Sequence, residues 1–414
     1  MENIKKLVLY FLKVFAFVLI VAFIFYVVLS FYADKKSKEA LALWKAEGID
    51  LIQKRNEIKE TEENDSAKQI IAIGEKLGIK NSFFVSTCSS KKEVVSGYLN
   101  EQTKKGKLEF LQPDENVEKR LIEIKEDLLK TAAILEKQKP VWKTRKENSF
   151  DTPSYLMTII GLTRLLSAET FYSLYKGQRE DAVIFLKAEI TLAESLDSKL
   201  FIETLIKIAC YRYIYACAKF FPYLEEETES QLLSFDPVEC IKEGFVYEAA
   251  GSFLHFNSDL KELSGKSSFW LSSFFLKPYL RLDQSQYLTY YLIAMKVTQE
   301  QNPCELFKKD ISKEIFNKIP KWAVITRIVI PNLQDAWVRA YRLKIEKDIT
   351  LLALKAKKEK IKNGKFPESL ELNKAICPDT SYKYLKNEEA IKIYFDSNFE
   401  ANEKTAFVPL SWEE

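Results

Sequence analysis

Val14 to Tyr32 reads VFAFVLIVAFIFYVVLSFY, 19 residues without a charge. At about 1.5 Å of rise per residue such a helix is roughly 28 Å long, close to the hydrocarbon thickness of a bilayer. Lys13 ends the uncharged run, with Lys5 and Lys6 behind it, and a lysine there can carry its ammonium out to the headgroups. Tyr10 and Tyr32 stand where amphipathic rings settle at a membrane interface. A cleaved signal peptide would have an apolar core of about 7–15 residues and a small-x-small cleavage site. This run is longer, and Phe31-Tyr32-Ala33 puts a bulky residue where a small one is required. The expectation is an uncleaved transmembrane helix within residues 1–33, preceded by a cytoplasmic stub.

Outward from that stretch, lysines flank both ends (Lys5, Lys6 and Lys13 against Lys35, Lys36 and Lys38), partly offset by Asp34 and Glu39. The positive-inside rule barely decides between the two orientations. Because long domains cross regardless of charge, the expected topology is single-pass in a bacterial inner membrane, with the C-terminal body extracytoplasmic. The 414 residues carry 62 basic and 59 acidic side chains, a net charge of +3. That balance supplies no basic stripe for nucleic acid. With 11 glycines and 12 prolines, the body is poor in turn-formers and reads as mainly α. Cysteines stand at 88, 210, 217, 240, 304 and 377, none in a C-x-x-C. Cys210 and Cys217 lie about 10 Å apart along one helix and cannot bridge each other.

Residues 34–150 read as a membrane-proximal helical region. An amphipathic helix rises from the membrane and breaks near Gly48, and a second spans Ser66–Leu77, stopped by Gly78. Residues 80–90 fit a strand or loop. Pro113-Asp114-Glu115 opens a helix to about Gln138. Residues 151–332 form an antiparallel, repeat-like helical domain. Asp151 or Thr152 caps a helix ending at Lys176, Gly177 supplies a left-handed stop, and helices over Arg179–Leu196 and Lys199–Phe221 follow with minimal loops. The run SGKSSFWLSSFFLKPYLRL (264–282) is unusually aromatic, and its segment Phe269–Leu276 reads as a core-packing loop. Residues 333–414 combine a long helix, stopped by Asn363-Gly364, with two alternating runs around a polar turn, which predict a small β-hairpin.

Catalytic chemistry is sparse. His255 is the only histidine, which excludes His-rich zinc motifs, and no G-x-S-x-G elbow exists. Gly265-Lys266-Ser267 lacks the earlier glycine of a phosphate loop, since position 260 is leucine. No metal, cofactor or catalytic set is assigned. Arg164 shares a helix face with Met157, Ile160, Ala168 and Phe171, and Glu189 shares one with Ala182, Phe185, Leu186 and Ala193. If those faces meet, the two charges form a buried ion pair. Phe269, Trp270, Phe274 and Phe275 are candidates for contact with the bilayer or a partner, weighed against a core-packing role.

The tail carries a resemblance. G-K-F-P-E-S-L (364–370), then P-D, Y-K-Y and Y-F-D-S, resembles the ending of large uncharacterised bacterial membrane-anchored helical proteins. It is also similar to the C-terminal part of type II secretion pseudopilins, although Phe366 replaces the usual tyrosine and the calcium loop of that family is absent. The Gly177 hairpin and the helix after it resemble the first group as well. The resemblance implies an architecture and says little of activity. The expected function is an envelope scaffold or protein-interaction module, with the lipid bilayer and another envelope protein as partners. Two alternatives stand beside it: a membrane-tethered hydrolase using carboxylates such as Glu189 or Glu248 in an interhelical cleft, and a secretion-apparatus accessory.

Overall fold

The computed structural model describes residues 2–79, 90–104, 109–143, 155–197, 199–264, 270–300, 303–308, 311–329, 333–372, 375–377, 380–386, 391–396 and 411–413; among these, side chains at the chain start (2–5, 7 and 8) and at 90–93, 104, 253–264, 270–275, 300, 303, 304, 308, 329 and 411–413 lie outside the description. The fold is mainly α. In chain order the helices are α1 (Glu2–Ala46), α2 (Leu51–Glu57), α3 (Asp65–Lys76), α4 (Ser90–Lys104), α5 (Glu115–Lys137), α6 (Tyr155–Tyr175), α7 (Arg179–Glu194) and α8 (Phe201–Ala218). They continue as α9 (Glu226–Ser234), α10 (Pro237–Ser264), α11 (Trp270–Glu300), α12 (Pro303–Lys308), α13 (Ile311–Lys318), α14 (Val324–Val329) and α15 (Leu333–Asn363). Strands β1 (Ser381–Lys386), β2 (Ile391–Asp396) and β3 (Ser411–Glu413) close the chain.

Two compact units divide these elements, and neither is continuous in sequence. Residues 1–57, 246–297 and 311–333 form one; residues 58–245, 298–310 and 334–414 form the other. The linear divisions at 34, 151 and 333 read composition along the chain, whereas the units follow packing between distant segments.

In the first unit, α1 runs unbroken for 45 residues, well past the apolar run, where the sequence suggests a separate amphipathic helix. Ala33, Ala40 and Trp44 are buried and seat its second half against α11. The aromatic segment expected as a loop is helical from Trp270, with Pro278 inside α11. Proline removes one backbone donor there, yet the helix continues on both sides.

The second unit is built around α6, which packs against α3, α4, α5, α7 and α8. Between Tyr155 and Ser173 every residue of α6 except Met157, Ile160 and Arg164 is buried. Asp114 accepts the Val117 N–H at 2.9 Å and so caps α5. Gly177, at φ +72°, turns α6 into α7 as expected, with the Gln178 N–H donating back to the Ser173 carbonyl at 2.8 Å. Two lysines of α15 hold the ends of other helices. Lys347 donates to the carbonyls of Leu233 and Phe235, both at 2.6 Å, and Lys357 donates to those of Lys219 (2.7 Å) and Phe221 (3.1 Å). An ammonium at a helix C-terminus satisfies orphan carbonyls and the negative end of the dipole together.

The tail forms the expected antiparallel hairpin, extended by β3 into a sheet of order β1-β2-β3. Ile391, Ile393 and Phe395 alternate inward on β2 and pack with Tyr382, Phe366 and Cys377 on Ile345, Ile349, Leu352, Ala353 and Ala356 of α15. The Tyr384 hydroxyl donates to the Pro367 carbonyl at 2.7 Å and Lys386 donates to that of Phe366 at 3.1 Å. The F-P and Y-K-Y pieces of the tail motif are therefore two sides of one packing unit.

Candidate functional site

Two features stand out, and each reverses the usual placement of polarity. One is the first part of α1. It is long and apolar enough to cross a membrane, and Phe17, Phe25 and Phe31 are 66%, 66% and 74% exposed. The apolar surface is exposed on all sides of the helix between Leu9 and Phe25. Monomeric soluble proteins rarely leave a continuous apolar surface of that kind in water. Where the apolar run ends, charges take over at once: Arg281 of α11 pairs with Asp34 at 2.5 Å. Further along, the Trp44 indole donates to the Leu288 carbonyl at 3.0 Å, and Lys296 pairs with Glu47.

The other feature is a polar interior in the second unit. Glu189 of α7 is fully buried; Ser167 Oγ lies 2.6 Å from Oε2 and Thr170 Oγ1 lies 2.8 Å from Oε1. The same hydroxyls lie 2.8 Å from the Thr163 carbonyl and 2.9 Å from the Leu166 carbonyl. Two hydroxyl protons cannot serve four acceptors. A proton on the carboxyl supplies a third donor and relieves the shortage. Burial pushes this carboxyl up to about 8, against the pull of the two hydroxyls, so the neutral acid is the form held at pH 7.

Glu169, on α6, is also fully buried, and neither carboxyl oxygen has a hydrogen-bond partner. Burial raises it to about 7; Lys125 draws it down and Asp181 pushes it up. Those two pair with each other at 2.6 Å. Thr163 donates to Cys210 Sγ at 3.4 Å, and Cys217 Sγ donates to the Ser167 carbonyl at 3.6 Å. Burial lifts the Cys210 thiol to about 12. Glu189 and the two thiols are enclosed and hydrogen-bonded, whereas Glu169 is enclosed without a hydrogen-bond partner. Among the described residues no cluster suited to a metal ion occurs.

The expected Arg164–Glu189 ion pair does not form. Arg164 Nε donates to the Tyr213 hydroxyl at 3.0 Å with its guanidinium over that ring, while Glu189 takes the two hydroxyls. The reason lies in α6 itself. The stripe Met157–Ile160–Arg164, apolar by sequence, is its least buried side, and the small polar residues Thr163, Ser167 and Thr170 face the interior. A helix enclosed by several others has no single apolar face to read.

Glu248, the other carboxylate of the hydrolase alternative, belongs to the first unit. Desolvation raises it to about 7; burial raises the hydroxyls of Tyr287 and Tyr291, and Glu248 adds to both. It does not share a unit with Glu189. Phe269 and the side chains of Trp270, Phe274, Phe275 and His255 lie outside the described residues. Cys210 and Cys217 carry free thiols, and Cys377 is disulfide-bonded. Sequence reasoning missed Glu169, whose neighbours give it no motif. It also missed helix α4 and the seating of α1 on α11, which joins segments about 245 residues apart. No family model, curated protein or solved structure matches this chain.

Proposed function

We propose that this chain is a single-pass, membrane-anchored scaffold of a bacterial envelope, with its helical body on the extracytoplasmic side as an interaction surface for another envelope protein. The observation that carries the reading is α1: one helix, bare and apolar over its first half, is packed into a folded unit over its second. Water is a poor solvent for the first half and lipid an adequate one. The disulfide at Cys377 favours an oxidising compartment for the body. The carboxyls at 169 and 189 support a structural role, because both are enclosed by protein and a substrate would need the core to open. Carbonate washing of membranes followed by protease treatment from each side tests the reading. The full chain should stay with the lipid, and the body should be cut only from the extracytoplasmic side. Release into the wash, or turnover of a substrate by the purified intact protein, overturns it.

A further inference from the structure

The first unit carries an exposed apolar patch outside α1. Helix α14 is amphipathic in the inverse sense for a surface in water. Its buried side is polar: Thr326 is enclosed, with Oγ1 2.6 Å from Asp283 Oδ1, and the Asp283 carboxylate accepts the N–H groups of Ile325 (2.9 Å) and Thr326 (3.2 Å). Its outer side is apolar. Val324 and Ile328, four residues apart and therefore on one face, are 50% and 69% exposed, and Trp322 just before them is 42% exposed. On α11, Leu276 is 47% exposed. Lys277, Lys318 and Lys321 are exposed along these same segments.

The level of this patch follows from the pairing of α1 with α11. Asp34 meets Arg281, Trp44 meets Leu288 and Glu47 meets Lys296. The partner's number rises with the residue number in α1 at every contact, so the two segments run parallel. At about 1.5 Å per residue on both helices, the three contacts place Tyr279 level with Ser30 to Lys35 and Leu276 level with Val27 to Tyr32. The Tyr279 hydroxyl donates to the Trp322 carbonyl at 2.6 Å, which holds Trp322 within the reach of that side chain. The patch therefore stands where the apolar run of α1 meets its first charges.

We infer that Trp322, Val324, Ile328 and Leu276 form a second membrane contact, resting in the interfacial layer beside α1, with Lys277, Lys318 and Lys321 directed to lipid phosphates. A tryptophan and aliphatic side chains rimmed by lysines match the chemistry of that layer. The inference rests on the reading of α1 as a membrane span. It is tested with the full chain reconstituted in phosphatidylcholine–phosphatidylglycerol vesicles, with and without brominated phosphatidylcholine as a quencher of tryptophan emission. The chain should float with the vesicles and be quenched, and Trp322→Phe should lose part of that quenching, whereas Trp337→Phe, which removes a buried ring of the second unit, should lose none. As an independent readout, a solvatochromic dye on Ile328→Cys should shift to the blue and be quenched by nitroxide-bearing lipids. A floating protein whose quenching is unchanged by Trp322→Phe and whose dye at 328 reports water overturns the interfacial contact and leaves the anchor standing. A chain that does not float overturns both.

Discussion

The first half of α1 and the interior around α6 are opposites. One exposes phenylalanine and leucine; the other encloses glutamate, serine, threonine and cysteine. Between Leu9 and Phe25 the apolar side chains of α1 are exposed, and a lipid solvent, as proposed above, accounts for that exposure. Around α6 the polar groups are enclosed by protein, and for Glu189 the neighbouring hydroxyls of Ser167 and Thr170 take over the role of solvent. A polar composition therefore marks no active site by itself, and an apolar one marks no core. The surroundings decide both.

That contrast can be broken most forcefully at the span. Leu19→Arg combined with Phe23→Arg places two charges on one face of its middle, at about 2.5–3.5 kcal/mol each; the carbonate-resistant fraction should collapse, while substitution of exposed lysines in α15 should leave it intact. At the enclosed carboxyls the expected effect is smaller and follows pH. Glu189 takes a proton near 8 when folded and near the ordinary carboxylate value of 4.5 when unfolded. Between those values the unfolded chain releases a proton that the folded one keeps, so stability falls as pH rises through that window, by about 5 kcal/mol at most. Glu189→Gln keeps a neutral group of the same shape; urea midpoints for the variant should change less between pH 5 and pH 8 than those of the parent.

Lys357→Met sharpens the picture of helix ends. It leaves the Lys219 and Phe221 carbonyls without their ammonium and should cost about 1–3 kcal/mol in the same urea titration. The smallest effect is expected at Glu169, whose oxygens lack partners. Glu169→Met should raise the stability by about 1 kcal/mol at pH 7, read as a higher urea midpoint, and a fall instead would show that the carboxyl has a partner in solution.

Much of the fold was legible in the residues. The uncharged run, the Asp114 cap, the Gly177 turn, the stop at Gly364 and the alternation in Ile391–Asp396 each act over a few neighbours, and each leaves a local trace. Residues that act across the chain were not legible. Arg164 and Glu189 sit at apolar-looking positions, but their partners are chosen by which helices enclose α6, and that choice is made by several distant segments at once. The aromatic segment expected as a loop is instead the start of α11, which continues through Pro278. The patch at Trp322, Val324 and Ile328 has no periodicity to betray it, since its helix is only six residues long.

One consequence remains in the continuity of α1. Because the helix passes from Phe25 to Ala46 without a joint, and is clamped by Arg281 and Leu288 above the apolar run, it behaves as a stiff shaft gripped by the folded unit. With α1 in a bilayer, as proposed, any tilt that lipid thickness imposes on the shaft would turn the gripped unit with it, and membrane composition would set the attitude in which that unit faces its surroundings.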